Sequence, residues 1–162
     1  VGLGRIGTRV AELGLGLGMK VIGYNRTPKY IKGVKAVGMK KLLELSDVVS
    51  VNLALAPGLE NTISTRELNL MKPTAVLINT ARGRHVNTAA LYRALKSRKI
   101  AGVGLDVLAD WSLKNPLVKL DNVVFTPHCG SSTKESVVNL ADIIVKNVES
   151  FVKRKPINIV NE

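Results

Sequence analysis

Short, nearly continuous apolar runs at 21–24, 48–53, 75–78, 103–105 and 123–125 alternate with stretches of helical spacing at 8–17, 39–45, 64–71, 88–97 and 132–153. A strand that is apolar on successive residues has both faces covered, the condition of a parallel strand sandwiched between helices. The alternation therefore predicts an α/β fold built on a doubly wound parallel sheet. Helix boundaries agree. Ser64 with Glu67 three residues later spells a capping box, Asn87 stands as an N-cap before Thr88, and Pro73 stops the helix ahead of it. With 46% hydrophobic and 22% charged residues, the 162-residue chain can bury a core and reads as one domain, 1–162. No apolar run approaches the ~18 residues of a membrane span. The single cysteine, Cys129, excludes an intrachain disulfide. A soluble, cytoplasmic protein is expected.

Gly2-x-Gly4-x-x-Gly7 runs straight into the helix 8–17 and is followed by the strand 21–24. Glycines placed this way permit a tight turn, let backbone approach a pyrophosphate, and let helix and strand pack closely, while the helix N-terminus offers N–H groups to the anion. Dinucleotide binding is predicted, with a merely glycine-rich turn as the alternative. In a doubly wound sheet the strand feeding such a turn is central. Only Val1 precedes Gly2, so we expect a sheet lacking its first strand, a slot where that strand would lie, and an intact protein that extends further at its N-terminus.

The fingerprint places an acid about 20 residues past the turn, where it holds the ribose hydroxyls. The corresponding position, 18 residues beyond Gly7, instead reads Asn25-Arg26-Thr27, with Lys29 close by. A carboxylate there would repel a 2′-phosphate, whereas Arg26 offers a bidentate fork and Thr27 a hydroxyl. NADP(H) is thus the expected cofactor, with NAD(H) as the alternative. The chain carries 24 Lys and Arg against 12 Asp and Glu, a net charge of +12. One acid-free basic cluster runs from Arg26 through Lys29, Lys32, Lys35 and Lys40 to Lys41. Nucleic-acid surfaces add stacking aromatics or a reading module. Only 4% of residues are aromatic, so a solvated lysine-rich face or a small-anion site is favoured over nucleic acid.

Two further clusters sit at strand ends. Thr80-Ala81-Arg82-Gly83 follows the strand 75–78, on the edge where open α/β sheets bind ligands. An arginine there can grip a carboxylate and polarise a neighbouring carbonyl, or be an ordinary surface residue. Thr126-Pro127-His128-Cys129-Gly130 follows the last strand, where His128 is either a general acid/base or structural. Two histidines and one cysteine are too few for a zinc centre without carboxylates, so no metal is expected. Ser131, Ser132 and Thr133 read as helix caps.

Together these segments resemble the cofactor-binding domain of the D-isomer-specific 2-hydroxyacid dehydrogenases, in particular the glyoxylate/hydroxypyruvate reductase branch. The carrying stretches are Gly2-Leu-Gly-Arg-Ile-Gly7, Leu45-Ser-Asp-Val-Val-Ser50, Met71-Lys-Pro73, Ile78-Asn-Thr-Ala-Arg-Gly83, Gly104-Leu-Asp-Val107 and Thr126-Pro-His-Cys-Gly-Ser131, in the family's order. The resemblance implies a Rossmann-type NAD(P)-binding domain and hydride transfer between NADP(H) and a small 2-oxo or 2-hydroxy acid such as glyoxylate or hydroxypyruvate. Arg82 would bind the substrate carboxylate and oxo group, and His128 would protonate the carbonyl oxygen. Asp106 would hold the nicotinamide carboxamide. Gly2, Gly4, Arg5, Ile6 and Gly7 would carry the pyrophosphate, Asn25, Arg26 and Thr27 the adenosine ribose, and Thr80, Ala81 and Gly130 the nicotinamide side.

The resemblance also implies a homodimer and a separate substrate-binding domain, with 156–162 as the segment returning to it. One departure bears on mechanism. The family's glutamate that pairs with the histidine aligns with Trp111, and the proline after it with Ser112. An indole there removes the charge that stabilises imidazolium and orients the ring. Asp110 is the candidate to replace it. Ala54, where many relatives carry proline, is a lesser departure. Because the family also includes a transcriptional corepressor, a catalytically weak or inactive dinucleotide-sensing protein is the alternative function.

Overall fold

The computed structural model describes residues 1–54, 56–112 and 114–159. They fall into two compact units, Val1–Pro127 and His128–Glu162. The first runs α1 (Arg5–Gly16), β1 (Ile22–Gly23), β2 (Lys35–Ala36), α2 (Met39–Leu45), β3 (Val48–Val51), α3 (Thr65–Leu70), β4 (Val76–Asn79), α4 (Thr88–Lys96), β5 (Gly102–Leu105) and β6 (Val123–Phe125). Short 3-10 turns cover Gly83–His85 and Pro116–Lys119.

β3, β4, β5 and β6 form one parallel sheet in that order, and β1 pairs with β2 in a second parallel sheet. The register puts Val51, Asn79, Leu105 and Phe125 in one row at the carboxyl edge. Continuous apolar strands are needed because both faces are covered. Leu77, Val49 and Val51 are almost wholly buried, as are Leu43 of α2, Leu68 of α3 and Leu91 and Leu95 of α4. Each such side chain contributes about 1.5–3 kcal/mol relative to exposure. The caps read from sequence are in place: Glu67 accepts from the Ser64 backbone N–H at 3.1 Å, and Asn87 Oδ1 accepts from the Ala90 N–H at 2.9 Å.

The expected slot is present. A cavity of about 630 Å³ is lined by Val21, Ile22 and Gly23 on one side and by Val48, Val49 and Ser50 on the other. Val1 closes its carboxyl end. Its amino group donates to the Ser50 carbonyl at 2.7 Å, its carbonyl accepts from the Asn52 N–H at 2.8 Å, and the Gly2 N–H donates to the Tyr24 carbonyl at 2.9 Å. The backbone at Val1 thus lies parallel to β3, opposite Val51. Burial lowers the pKa of the Val1 amino group from 8.0 to about 6.

Two elements differ from the sequence reading. α1 begins at Arg5, three residues before the expected start, so the third glycine lies inside the helix. β2 was not expected at all, and both of its residues are exposed. Among the described residues no helix is long and apolar enough to cross a membrane, and no group of three or more His, Cys, Asp or Glu stands where it could hold a metal ion.

The second unit contains α5 (Lys134–Val152), capped by Thr133, whose side chain accepts from the Ser136 N–H at 3.1 Å. Of the expected returning segment 156–162, residues 156–159 are in no strand and 160–162 lie outside the described residues.

Candidate active site

The loops after β1, β4 and β5 and the turn after Val1 carry residues singled out from sequence. The glycine turn follows the Val1 position, Asn25–Thr27 follow β1, Thr80–Arg82 follow β4, and Asp106 follows β5.

Gly2 has a φ of +83°, a left-handed conformation that favours glycine, and a Cβ on Gly7 would lie 1.9 Å from the Gly2 carbonyl oxygen. These two glycines set the turn and seat α1 against it. Gly4 differs, since a Cβ there would meet nothing within 4 Å. It is the exposed N-cap residue of α1, with no side-chain cap and no acid in the first turn. The first helical N–H groups and the positive end of the helix dipole are therefore left for an anion, with open space over Gly4. These residues fit a dinucleotide diphosphate.

Asn25, read from sequence as a ribose contact, is committed to the protein. Its Oδ1 accepts from the Leu3 N–H at 3.0 Å and its Nδ2 donates to the Thr27 carbonyl at 2.8 Å. Arg26 is exposed and makes no hydrogen bond or ion pair among the described residues. Its guanidinium keeps all of its donors for a ligand.

The Thr80–Arg82 turn is held from beneath. Asn79, fully buried, accepts from the Ala81 N–H at 3.1 Å and donates to the Arg82 carbonyl at 2.9 Å. Gly83 packs so closely that a Cβ would lie 2.0 Å from the carbonyl carbon of Leu108. The exposed Arg82 guanidinium uses Nη1 on the Ala81 carbonyl at 2.7 Å, leaving its other N–H groups free for a carboxylate. Asp106 is buried; its backbone N–H donates to the Asn79 carbonyl at 3.1 Å, and its carboxylate accepts a short hydrogen bond from the Thr126 hydroxyl. Asn79 and Thr126 were not assigned roles from sequence. The signal for Asn79 was a polar residue ending an apolar strand; nothing local marks the pairing of Thr126 with Asp106.

Asp110 is exposed, and its Oδ1 accepts from the Ser112 N–H at 2.9 Å, a local turn that occupies one carboxylate oxygen. Trp111 is half-exposed and tilts against Phe125, with ring centroids 6.4 Å apart. In the second unit, His128 has a φ of +54°, which a non-glycine residue rarely adopts. Such strain is of order 1–3 kcal/mol and clusters at functional positions. Cys129 and Gly130 follow it, both exposed.

A parallel α/β sheet with an uncapped, glycine-entered helix at its carboxyl edge defines a dinucleotide-binding domain of Rossmann type. Residues 1–130 match the family described as D-isomer specific 2-hydroxyacid dehydrogenase, NAD binding domain. The chain belongs to this family, on its glyoxylate reductase-like branch. A glyoxylate reductase from Thermococcus litoralis is 44% identical over 168 residues, covering 100% of this chain and 51% of its own length. An acyclic imino acid reductase solved with NADPH and D-Arg superposes with a TM-score of 0.94 at 38% identity, over 99% of this chain and 52% of its own. The NAD complex of a D-isomer specific 2-hydroxyacid dehydrogenase from Lactobacillus delbrueckii ssp. bulgaricus gives a TM-score of 0.90 at 35% identity, over 99% and 54%. The chain spans about half the length of the curated relatives it matches.

Proposed function

We propose that this chain is the cofactor-binding domain, 1–162, of an NADP(H)-preferring reductase of small 2-oxo acids, with glyoxylate or hydroxypyruvate as substrate. The observation that carries the cofactor preference is the pair Asn25 and Arg26. The first is spent on the turn, and the second is unpaired where the fingerprint expects a ribose-binding acid. With no carboxylate there to repel it, a 2′-phosphate meets a free guanidinium fork.

Gly2, Gly4, Arg5, Ile6 and Gly7 would hold the diphosphate, Arg26 and Thr27 the adenosine end, and Thr80, Ala81, Asp106 and Gly130 the nicotinamide end. When bound, the nicotinamide supplies the hydride to C2 of the oxo acid, or accepts it in the reverse direction. Arg82 binds the substrate carboxylate bidentately and draws electron density from the adjacent carbonyl. His128 gives its proton to the carbonyl oxygen during reduction and takes it back during oxidation. Trp111, in the glutamate's alignment position, makes this proton transfer slower than in a carboxylate-bearing relative, and a homodimer in the cytoplasm completes the proposal.

Steady-state assay of the full-length protein with NADPH and NADH across several 2-oxo acids tests the reading. We expect lower KM for NADPH, and Arg26→Ala is expected to raise that KM about 10-fold or more while leaving NADH nearly unaffected. Better turnover with NADH overturns the cofactor preference, and no turnover with any 2-oxo acid overturns the enzyme assignment. Turnover that requires an added amine would move the substrate from C=O to C=N.

A further inference from the structure

Lys29 lies outside the roles described so far, yet its side chain reaches back over the glycine turn. Its ammonium donates to the Leu3 carbonyl at 2.9 Å and to Thr8 Oγ1 at 2.9 Å, and the Thr8 hydroxyl itself donates to the Leu3 carbonyl at 3.1 Å. The Leu3 N–H is held by Asn25 at 3.0 Å. Both backbone polar groups of Leu3 are therefore fastened by side chains, two of the three bonds coming from Asn25 and Lys29.

The reason such a clamp is needed lies in the turn's own composition. The Leu3–Gly4 peptide ends on Gly4, a residue without Cβ and with nothing near its Cβ position, so rotation about the Gly4 φ meets little steric resistance. A trans peptide points its carbonyl and its N–H in opposite directions. Fixing the Leu3 carbonyl onto Lys29 and Thr8 therefore fixes the direction of the Gly4 N–H at the mouth of α1. If that peptide flipped, an acceptor oxygen would replace a donor there, and an anion would be repelled.

We propose that Lys29 is a positioning residue for the phosphate-binding turn: with Thr8 it locks the Leu3–Gly4 peptide so that its N–H serves the diphosphate shared by NADPH and NADH. The proposal rests on the reading that this turn binds a dinucleotide. It differs from the role given to Arg26, which concerns the 2′-phosphate alone.

The test measures Kd for NADPH and for NADH by nucleotide fluorescence on the full-length protein and on Lys29→Met, Thr8→Val, the double variant and Arg26→Ala. Lys29→Met is expected to weaken both nucleotides by the same factor, about 10-fold, the size expected for losing charge-assisted hydrogen bonds. Thr8→Val should act in the same direction, and the double variant should be no worse than the worse single one, because both act on one carbonyl. Hydrogen exchange at the Gly4 amide of the nucleotide-free protein should rise in Lys29→Met, and thermal melts establish that each variant is folded. A loss confined to NADPH would make Lys29 a direct 2′-phosphate ligand and overturn the proposal, as would additive single and double losses or unchanged affinity. A wild-type protein that binds neither nucleotide overturns the dinucleotide reading as well, an outcome distinct from a wild type that binds while Lys29→Met binds equally.

Discussion

The two turns proposed to serve diphosphate and substrate share close glycine packing, at Gly7 and at Gly83, but their hydrogen-bond clamps come from opposite sides. The glycine turn is clamped from outside, by Asn25 and Lys29 reaching back from the segment after β1, and Lys29 is solvent-exposed. The arginine turn is clamped from inside, by the buried carboxamide of Asn79 and by backbone packed onto Gly83. An exposed clamp is adjustable: single surface substitutions change its strength at little cost in stability, and the same short segment also carries Arg26. A buried clamp is all or nothing, since removing it leaves unpaired polar groups or a clash in the core. On the proposed reading, affinity for the cofactor is set by replaceable surface side chains, while the turn that carries Arg82 is tied to the stability of the fold.

That contrast is broken most sharply at Gly83. Gly83→Ala places a methyl group 2.0 Å from the Leu108 carbonyl carbon, where only backbone movement relieves it. We expect a loss above about 4 kcal/mol, read as failure to fold or a collapsed melting temperature. A well-folded Gly83→Ala protein would show the arginine turn to be as adaptable as the side-chain clamp of the glycine turn. Arg82→Lys comes next. Charge is kept but the bidentate fork is lost, so kcat/KM for the 2-oxo acid should fall on the order of 10²-fold with the melting temperature unchanged. Asn79→Ala leaves the buried Ala81 N–H without its acceptor. It should lower stability by about 1–3 kcal/mol in urea titration and raise KM for the oxo acid, because the Arg82 carbonyl loses its tether too.

Trp111→Glu sharpens the chemistry rather than the scaffold. The indole rests on Phe125 and is half-exposed, so replacing it forfeits only the aromatic pair, about 0.5–1.5 kcal/mol. Restoring a carboxylate at the family position is expected to raise kcat for reduction at least about 10-fold and to move the alkaline limb of its pH profile upward, because a negative charge favours the imidazolium that gives the proton. A fall in activity would mean that the indole itself serves the reaction.

How much of this was visible in the residues depended on whether the cause was local. β4, β5 and β6 were found to within a residue because each is a short run of Val, Leu, Ile or Phe broken by nothing larger than glycine. β2 was missed because Lys35 and Ala36, both exposed, carry no apolar pattern; their pairing with Ile22 and Gly23 comes from the neighbouring strand. The start of α1 was placed after Gly7 since glycine is a poor helix former. In the fold Gly7 is helical because only a residue without Cβ clears the Gly2 carbonyl, so packing overrides propensity. The glycine spacing marked the turn, whereas Arg82 stood open between a site and a surface residue and Asp106 entered only through the family resemblance. Asn79 and Thr126 received no role and Lys29 was placed only beside Arg26 in a basic cluster, because the partners of all three are set by the strand ends and turns of the folded unit.

The smallest effect tests the end of the slot. In the chain that begins at Val1, the amino group is buried against the Ser50 carbonyl and its pKa is lowered to about 6. In the unfolded chain it returns to 8.0, so between those values the unfolded state binds more protons than the folded one. Stability must then rise with pH across that window and fall as pH drops from 8 toward 6. From pH 8 to pH 7 the loss amounts to about 1 kcal/mol. Acetylating Val1 removes the ionisation while keeping an N–H for Ser50, so the comparison of free and acetylated chains isolates this group. Equal pH dependence in both forms would show that the Val1 amine is solvated, and that the carboxyl end of the slot is open to water rather than closed by the first residue.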